Sequence, residues 1–279
     1  RVGQVRGRSA GRGSRGCVGL PTGSTGSAPR TTLLNRSPQV RALHEPAPQL
    51  LAESREAFDL VRREPGRFGR IFSEAKAVEI GVARVRGKLY AETSNRLTFL
   101  APAIAGLLPR ARFIHLHRHP AEVVRSGMRR GWYRSHPWDP YRIAPSTDDA
   151  ASDGWDEWDC FARCCWYWSA INDFALKFMS EIAPERRLTL QFDDLMNAES
   201  GAWETVYRFL EVRPPHLYAV REVLERRENM QHTGDFASPS EWDDERWDVM
   251  RRIAGRTADR LGYVIPSKVS ETVDSRGIP

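Results

Sequence analysis

The chain has 279 residues, enough to bury a substantial core as one large domain or two small ones. Its formal net charge is +6, but residues 1–44 carry eight Arg and no acid, so the 42 basic residues less those eight leave 34 against 36 acidic in the rest. The body is therefore near neutral, which argues against a broad nucleic-acid-binding face and makes nucleic acid an unlooked-for partner, a basic arm aside. No run of 18 or more apolar residues occurs, so no transmembrane segment is expected. The four Cys, at 17, 160, 164 and 165, form neither a disulfide framework nor a metal-site spacing. A reduced, cytoplasmic protein without a metal is expected.

Residues 1–30 are rich in Gly, Arg and Ser and lack apolar periodicity, and they read as a flexible or aberrant N-terminal segment. An Arg- and Ser-rich, acid-free start also has the composition of an organelle transit peptide, without the amphipathic pattern. Within it, Pro21 to Ala28 is a small-residue loop able to present successive N–H groups to a phosphate, although a linker has the same composition. Arg12 to Leu20 makes a poor strand before it. No Gly-Lys-Ser/Thr occurs there, so the lysine that holds nucleotide phosphates is missing.

Ser37 to Pro46 turns toward a helix expected over about residues 48–63, with Leu51, Phe58 and Val61 on one face. Lys88 to Glu92 reads as a strand. Leu97, Leu100, Ile104 and Leu107 mark a helix containing Pro102. Residues 131–157 form a long connection whose Trp132, Tyr133, Trp138 and Tyr141 either build an acceptor platform or pin the loop down. Phe161, Cys164, Trp168, Ile171, Ala175, Phe178 and Ile182 then follow helical spacing and belong to the core. Arg187 to Phe192 reads as a strand. Helices around Trp203 to Leu210 and Trp247 to Leu261 complete the chain. Strands separated by helices throughout predict an α/β fold with a mainly parallel sheet.

The most informative stretch is Arg112 to Ser126. Phe113, Ile114 and Leu116 make a buried strand, and Pro120 suits the first position of a following helix. Arg118 at the junction, with Ser126 eight residues later, suits an anion. His115 and His117 fall on one strand face and read as packed rather than catalytic.

With Ser126-Gly127-Met128-Arg129-Arg130-Gly131-Trp132-Tyr133 continuing it, this stretch closely resembles sulfotransferases that use 3′-phosphoadenosine 5′-phosphosulfate. Glu92-Thr93-Ser94-Asn95, Phe192-Asp193-Asp194-Leu195, Phe209-Leu210 and Leu261-Gly262-Tyr263 follow in the family's order, over about residues 33 to 264. The resemblance implies a three-layer, P-loop-like α/β fold, with a sulfotransferase-like domain over 31–264 and a tail at 265–279. It implies that Arg118 and Ser126 bind the donor's 3′-phosphate. A sulfuryl group would pass to an acceptor hydroxyl or amine on a small molecule, glycan or peptide; the oligomeric state is left open. Val40-Arg41-Ala42-Leu43-His44-Glu45 resembles the tyrosylprotein sulfotransferase segment whose second Glu is catalytic. That match implies Glu45 as the base, with His44 as competitor because its ordinary pKa is nearer neutrality.

The chain departs from the family at the phosphosulfate loop. Counting back from Leu33-Leu34-Asn35 places Thr25, Gly26 and Ser27 in the donor loop, with Ser24 where a cation belongs. A second register, Pro29-Arg30-Thr31-Thr32, keeps the cation and loses the Ser-Gly. A non-catalytic nucleotide-binding relative is the alternative this departure raises. A P-loop kinase is a third, opposed by the missing lysine.

Overall fold

The computed structural model describes residues 16–21, 27–225 and 235–267. These fall into two compact units, one from the described residues of Arg1–Arg118 and Phe174–Gln231, the other from those of His119–Asp173 and His232–Pro279.

The first unit is built on a parallel sheet of β1 (Gly16–Pro21), β2 (Val40–His44), β3 (Leu89–Thr93), β4 (Arg112–His117) and β5 (Arg187–Gln191), in the order β2-β3-β1-β4-β5. Its helices are α1 (Ser27–Arg36), α2 (Leu51–Leu60), α3 (Pro65–Val85) and α4 (Leu97–Leu107), with Pro102 inside α4 without ending it. In the second unit α5 (Pro120–Arg129) leads to α6 (Cys160–Glu181), whose last turns return to the first unit. There α7 (Phe192–Met196), α8 (Ala202–Leu210) and α9 (Leu217–Glu225) follow β5, and α10 (Asp244–Arg260) closes the second unit.

The strands β3 and β4 are buried on both faces. Leu89, Ala91, Ile114 and Leu116 meet Leu33 and Leu34 of α1 and Trp203, Val206, Tyr207 and Leu210 of α8 in one apolar cluster. The alternate residues of β4 point the other way, where Phe113 packs edge-on against Phe178 of α6, ring centroids 4.9 Å apart. This is the three-layer α/β arrangement expected, and the two-residue strand period dictates it.

Two strands differ from expectation. Arg12 to Leu20 is expected to make a poor strand, yet β1 occupies the centre of the sheet within residues 1–30. Val18 pairs with Glu92 on one side and with Phe113 on the other. Ladder bonds to two neighbours outweigh weak local propensity. Ser37 to Pro46, expected to turn toward the next helix, instead contains the edge strand β2, which buries Val40 and Ala42. Asn35 of α1 covers its free edge, donating to the Ala42 carbonyl at 2.9 Å and accepting from its N–H at 2.8 Å.

The stripe along α6 is core through Phe178, with Phe161, Cys164, Trp168, Ile171, Ala175 and Phe178 all buried, whereas Ile182 lies past the helix end and is half-buried. Cys160, Cys164 and Cys165 form no disulfide, and burial pushes the Cys164 and Cys165 thiols up, which suits packing rather than reactivity for those two.

Candidate active site

Parallel strands deliver their C-terminal ends to one edge of the sheet, where the order reverses on either side of β1. That is where open α/β sheets bind ligands. In the first unit β2 ends there in His44, β3 in Thr93 and β4 in His117, while α1 begins beyond the end of β1. Of the donor-loop residues inferred from sequence, Thr25 and Gly26 lie outside the described residues and Ser27 opens α1. α1 starts at Ser27, so Arg30 and Thr31 lie in its first turns.

His44 Nδ1 meets both the carbonyl and the hydroxyl of Thr93, and the shorter contact fixes its chemistry. Its Nδ1 lies 2.8 Å from the Thr93 carbonyl, and a carbonyl only accepts, so Nδ1 carries the proton. In the neutral ring Nε2 is then left with its lone pair, on an exposed side chain. Thr93 in turn meets Thr31 of α1, hydroxyl to hydroxyl at 3.0 Å, so α1, β2 and β3 are tied together at this edge.

Glu45, the next residue, has a positive φ of 43°. Its Oε2 pairs with Arg96 at 2.7 Å. Arg96 is 7% exposed and its carbonyl accepts from the Ser54 hydroxyl at 2.7 Å. Arg30 is 5% exposed; burial lowers its pKa to about 10, opposed by the charge of Glu45, so it stays cationic at neutral pH. Two buried guanidiniums therefore interact with the one carboxylate of Glu45. Arg96 is not among the residues that the sequence marks, although the Glu92-Thr93-Ser94-Asn95 segment runs directly into it.

Arg118 follows β4. Its guanidinium lies over the Phe192 ring at 4.8 Å, with Asp193 Oδ1 at 4.0 Å from Nε. The Phe192-Asp193 pair opening α7 thus presents a flat ring and a nearby carboxylate to this cation. Ser126 lies in α5 of the second unit.

His115 and His117 are buried with ring centroids 5.3 Å apart, in agreement with a packing role. Burial lowers the His117 pKa to about 4 against the opposing charge of Asp194. An unfolded His titrates near 6.5, so between these values the unfolded chain binds more protons. The associated stability is complete above about pH 6.5 and is lost as pH falls toward 4, about 2 kcal/mol of it between pH 7 and pH 5. Urea unfolding at those two pH values is expected to show this loss in the wild type and a smaller one in His117→Gln.

A model of the sulfotransferase family matches residues 18–215. The chain belongs to the sulfotransferase family. No curated protein matches it. Among solved structures it is similar in fold to a sulfotransferase domain from the curacin biosynthetic pathway, at 16% identity and a TM-score of 0.52, covering 91% of this chain and 99% of that one. A sulfotransferase from Mycobacterium avium gives 15% and 0.52, covering 91% and 79%. The sulfotransferase domain of a Synechococcus olefin synthase gives 15% and 0.50, covering 91% and 95%. At these identities the likeness shows the P-loop-like α/β fold alone.

Two further segments of this sulfotransferase-family chain, matched by resemblance, have visible packing in the second unit. Pro120 is the first residue of α5, as expected, and His119 caps it by accepting from the Ala121 N–H at 3.2 Å. Tyr263 of Leu261-Gly262-Tyr263 packs against His119, ring centroids 5.3 Å apart, and Trp168 at 6.4 Å. In the connection after α5, Trp132 is buried beneath Arg142, 4.2 Å from its ring centroid, and the Tyr133 hydroxyl donates to the Ile143 carbonyl at 2.7 Å. Those two aromatics pin the connection, whereas Trp138 and Tyr141 are exposed. A Cβ on Gly127 would lie 2.6 Å from Trp132 Cε3. Gly127→Ala is therefore expected to cost about 1–3 kcal/mol, read as a lower urea midpoint.

Among the described residues no group of three or more His, Cys, Asp or Glu could hold a metal ion. No described helix is long and apolar enough to cross a membrane.

Proposed function

We propose that the protein transfers a sulfuryl group from 3′-phosphoadenosine 5′-phosphosulfate to an acceptor hydroxyl or amine. The observation that carries this reading is the imidazole of His44, oriented by Thr93 at the C-terminal edge of the sheet next to Glu45 and its two buried guanidiniums. The acceptor heteroatom attacks sulfur, the bond from sulfur to the bridging phosphate oxygen breaks, and 3′,5′-adenosine bisphosphate leaves. His44 Nε2 takes the acceptor's proton. Charge that builds on the leaving phosphate is met by the N-terminus of α1 and by Arg30 and Arg96, which answers the lack of a loop cation at Ser24. Arg118 binds the 3′-phosphate, and Ser126 is the hydroxyl partner that the family resemblance implies.

Glu45 is the second candidate base. Its engagement by Arg96 favours a different role, holding the two guanidiniums in place. The test is acceptor-dependent release of adenosine bisphosphate from the sulfated donor, across a panel of phenols, sugars, amines and peptides. Release with at least one acceptor class is expected. Tight bisphosphate binding with no release for any acceptor would support the alternative, a non-catalytic nucleotide-binding relative.

A further inference from the structure

Lys76 lies in the middle of α3 and is 1% exposed. Lysines are almost never buried so fully unless every proton of the ammonium has a partner. Here there are three acceptors for three protons. Nζ donates to the carbonyls of Pro46 at 2.8 Å and Pro48 at 2.9 Å, and lies 3.2 Å from Glu92 Oε1. The other carboxylate oxygen of Glu92 accepts from the Tyr90 hydroxyl at 2.5 Å.

The direction of these bonds is informative. Two of the three go to the main chain just after Glu45, in a segment whose Pro46 and Pro48 have no N–H of their own to anchor it. Their carbonyls are its handles, and Lys76 holds both. Glu45 itself adopts a left-handed backbone with φ of 43°. For a residue with a Cβ this costs about 1–2 kcal/mol and persists only where the surroundings over-determine it. Glu45 is held from both sides, by Arg96 on its carboxylate and by Lys76 through the carbonyls that follow it. A buried ion pair is a poor device for stability alone, because apolar residues of similar volume often serve as well. Directional bonds to a proline segment are a good device for fixing backbone position.

We propose that Lys76, braced by Glu92, is a positioning residue that sets the backbone of the His44–Glu45 segment at the end of β2. Its catalytic consequence rests on the proposed function above; the clamp itself does not.

The test uses the full chain with Lys76→Met together with Glu92→Gln, which removes both charges and leaves no orphan ion in the core. Lys76→Gln, which keeps a donor for one carbonyl, is the milder companion. Amide hydrogen exchange over residues 44–50 is expected to speed up by about tenfold or more in the double variant and by less in Lys76→Gln. Exchange in β3 and β4 stays as in the wild type. The Kd for 3′,5′-adenosine bisphosphate changes by less than about twofold, while kcat falls by about 10- to 100-fold with KM little altered. Wild-type exchange over 44–50 in a folded double variant overturns the clamp, and altered exchange with wild-type kcat overturns its catalytic role. If the wild type transfers sulfate to no acceptor, the functional reading fails by itself and the exchange measurement still decides the clamp. If the double variant does not fold, exchange in Lys76→Gln decides it.

Discussion

His44→Ala is expected to lower kcat by about 10²–10⁴-fold while leaving the affinity for 3′,5′-adenosine bisphosphate unchanged. The expectation follows from the hydrogen bond between Nδ1 and the Thr93 carbonyl, which places the ring proton on Nδ1 and the lone pair on the exposed Nε2. A base of this kind acts on the acceptor, so its loss separates chemistry from donor binding. Glu45→Gln is expected to behave differently. It loosens Arg96, which is buried, and lowers stability by about 1–3 kcal/mol while keeping measurable transfer. Steady-state kinetics on the two variants distinguishes the assignments. Wild-type kcat in His44→Ala with none in Glu45→Gln would return the role to Glu45, as the tyrosylprotein sulfotransferase resemblance implied.

Arg118→Ala is expected to weaken bisphosphate binding by about 100-fold, equivalent to about 2.7 kcal/mol, as measured by titration calorimetry. The guanidinium lies over the Phe192 ring, an arrangement that fixes the plane of its donors before any anion arrives. Arg118→Lys is expected to recover little of the loss, because an ammonium has neither the flat face nor the paired donors. An unchanged Kd in Arg118→Ala would remove Arg118 from the donor site.

Much of this was legible where one local signal dominated. The run Phe113 to Leu116 followed by Pro120 placed β4 and the first residue of α5, because a buried strand and an N1 proline leave few other readings. The α6 stripe was legible for the same reason. β1 was not, since its Gly-rich sequence carries little strand preference and gains its place only from ladders to β3 and β4. β2 was hidden because the helix-side signals after Glu45 are stronger than five residues of edge strand. At the site, the His44–Glu45 pair and Arg118 were recognisable as residue types in a pattern. Arg96 and Lys76 were not, because their partners lie far off in the chain: Glu45 for Arg96, and Pro46, Pro48 and Glu92 for Lys76. Such contacts exist only once the sheet has brought the segments together.

The central claim, that a sulfated-nucleotide donor binds at the C-terminal edge of this sheet, is tested most directly by thermal unfolding with and without 3′,5′-adenosine bisphosphate, with ATP as control. The account predicts stabilisation of about 2.7 kcal/mol at a hundredfold excess over Kd, specific to the bisphosphate and lost in Arg118→Ala. No shift with the bisphosphate, or an equal shift with ATP, would contradict it.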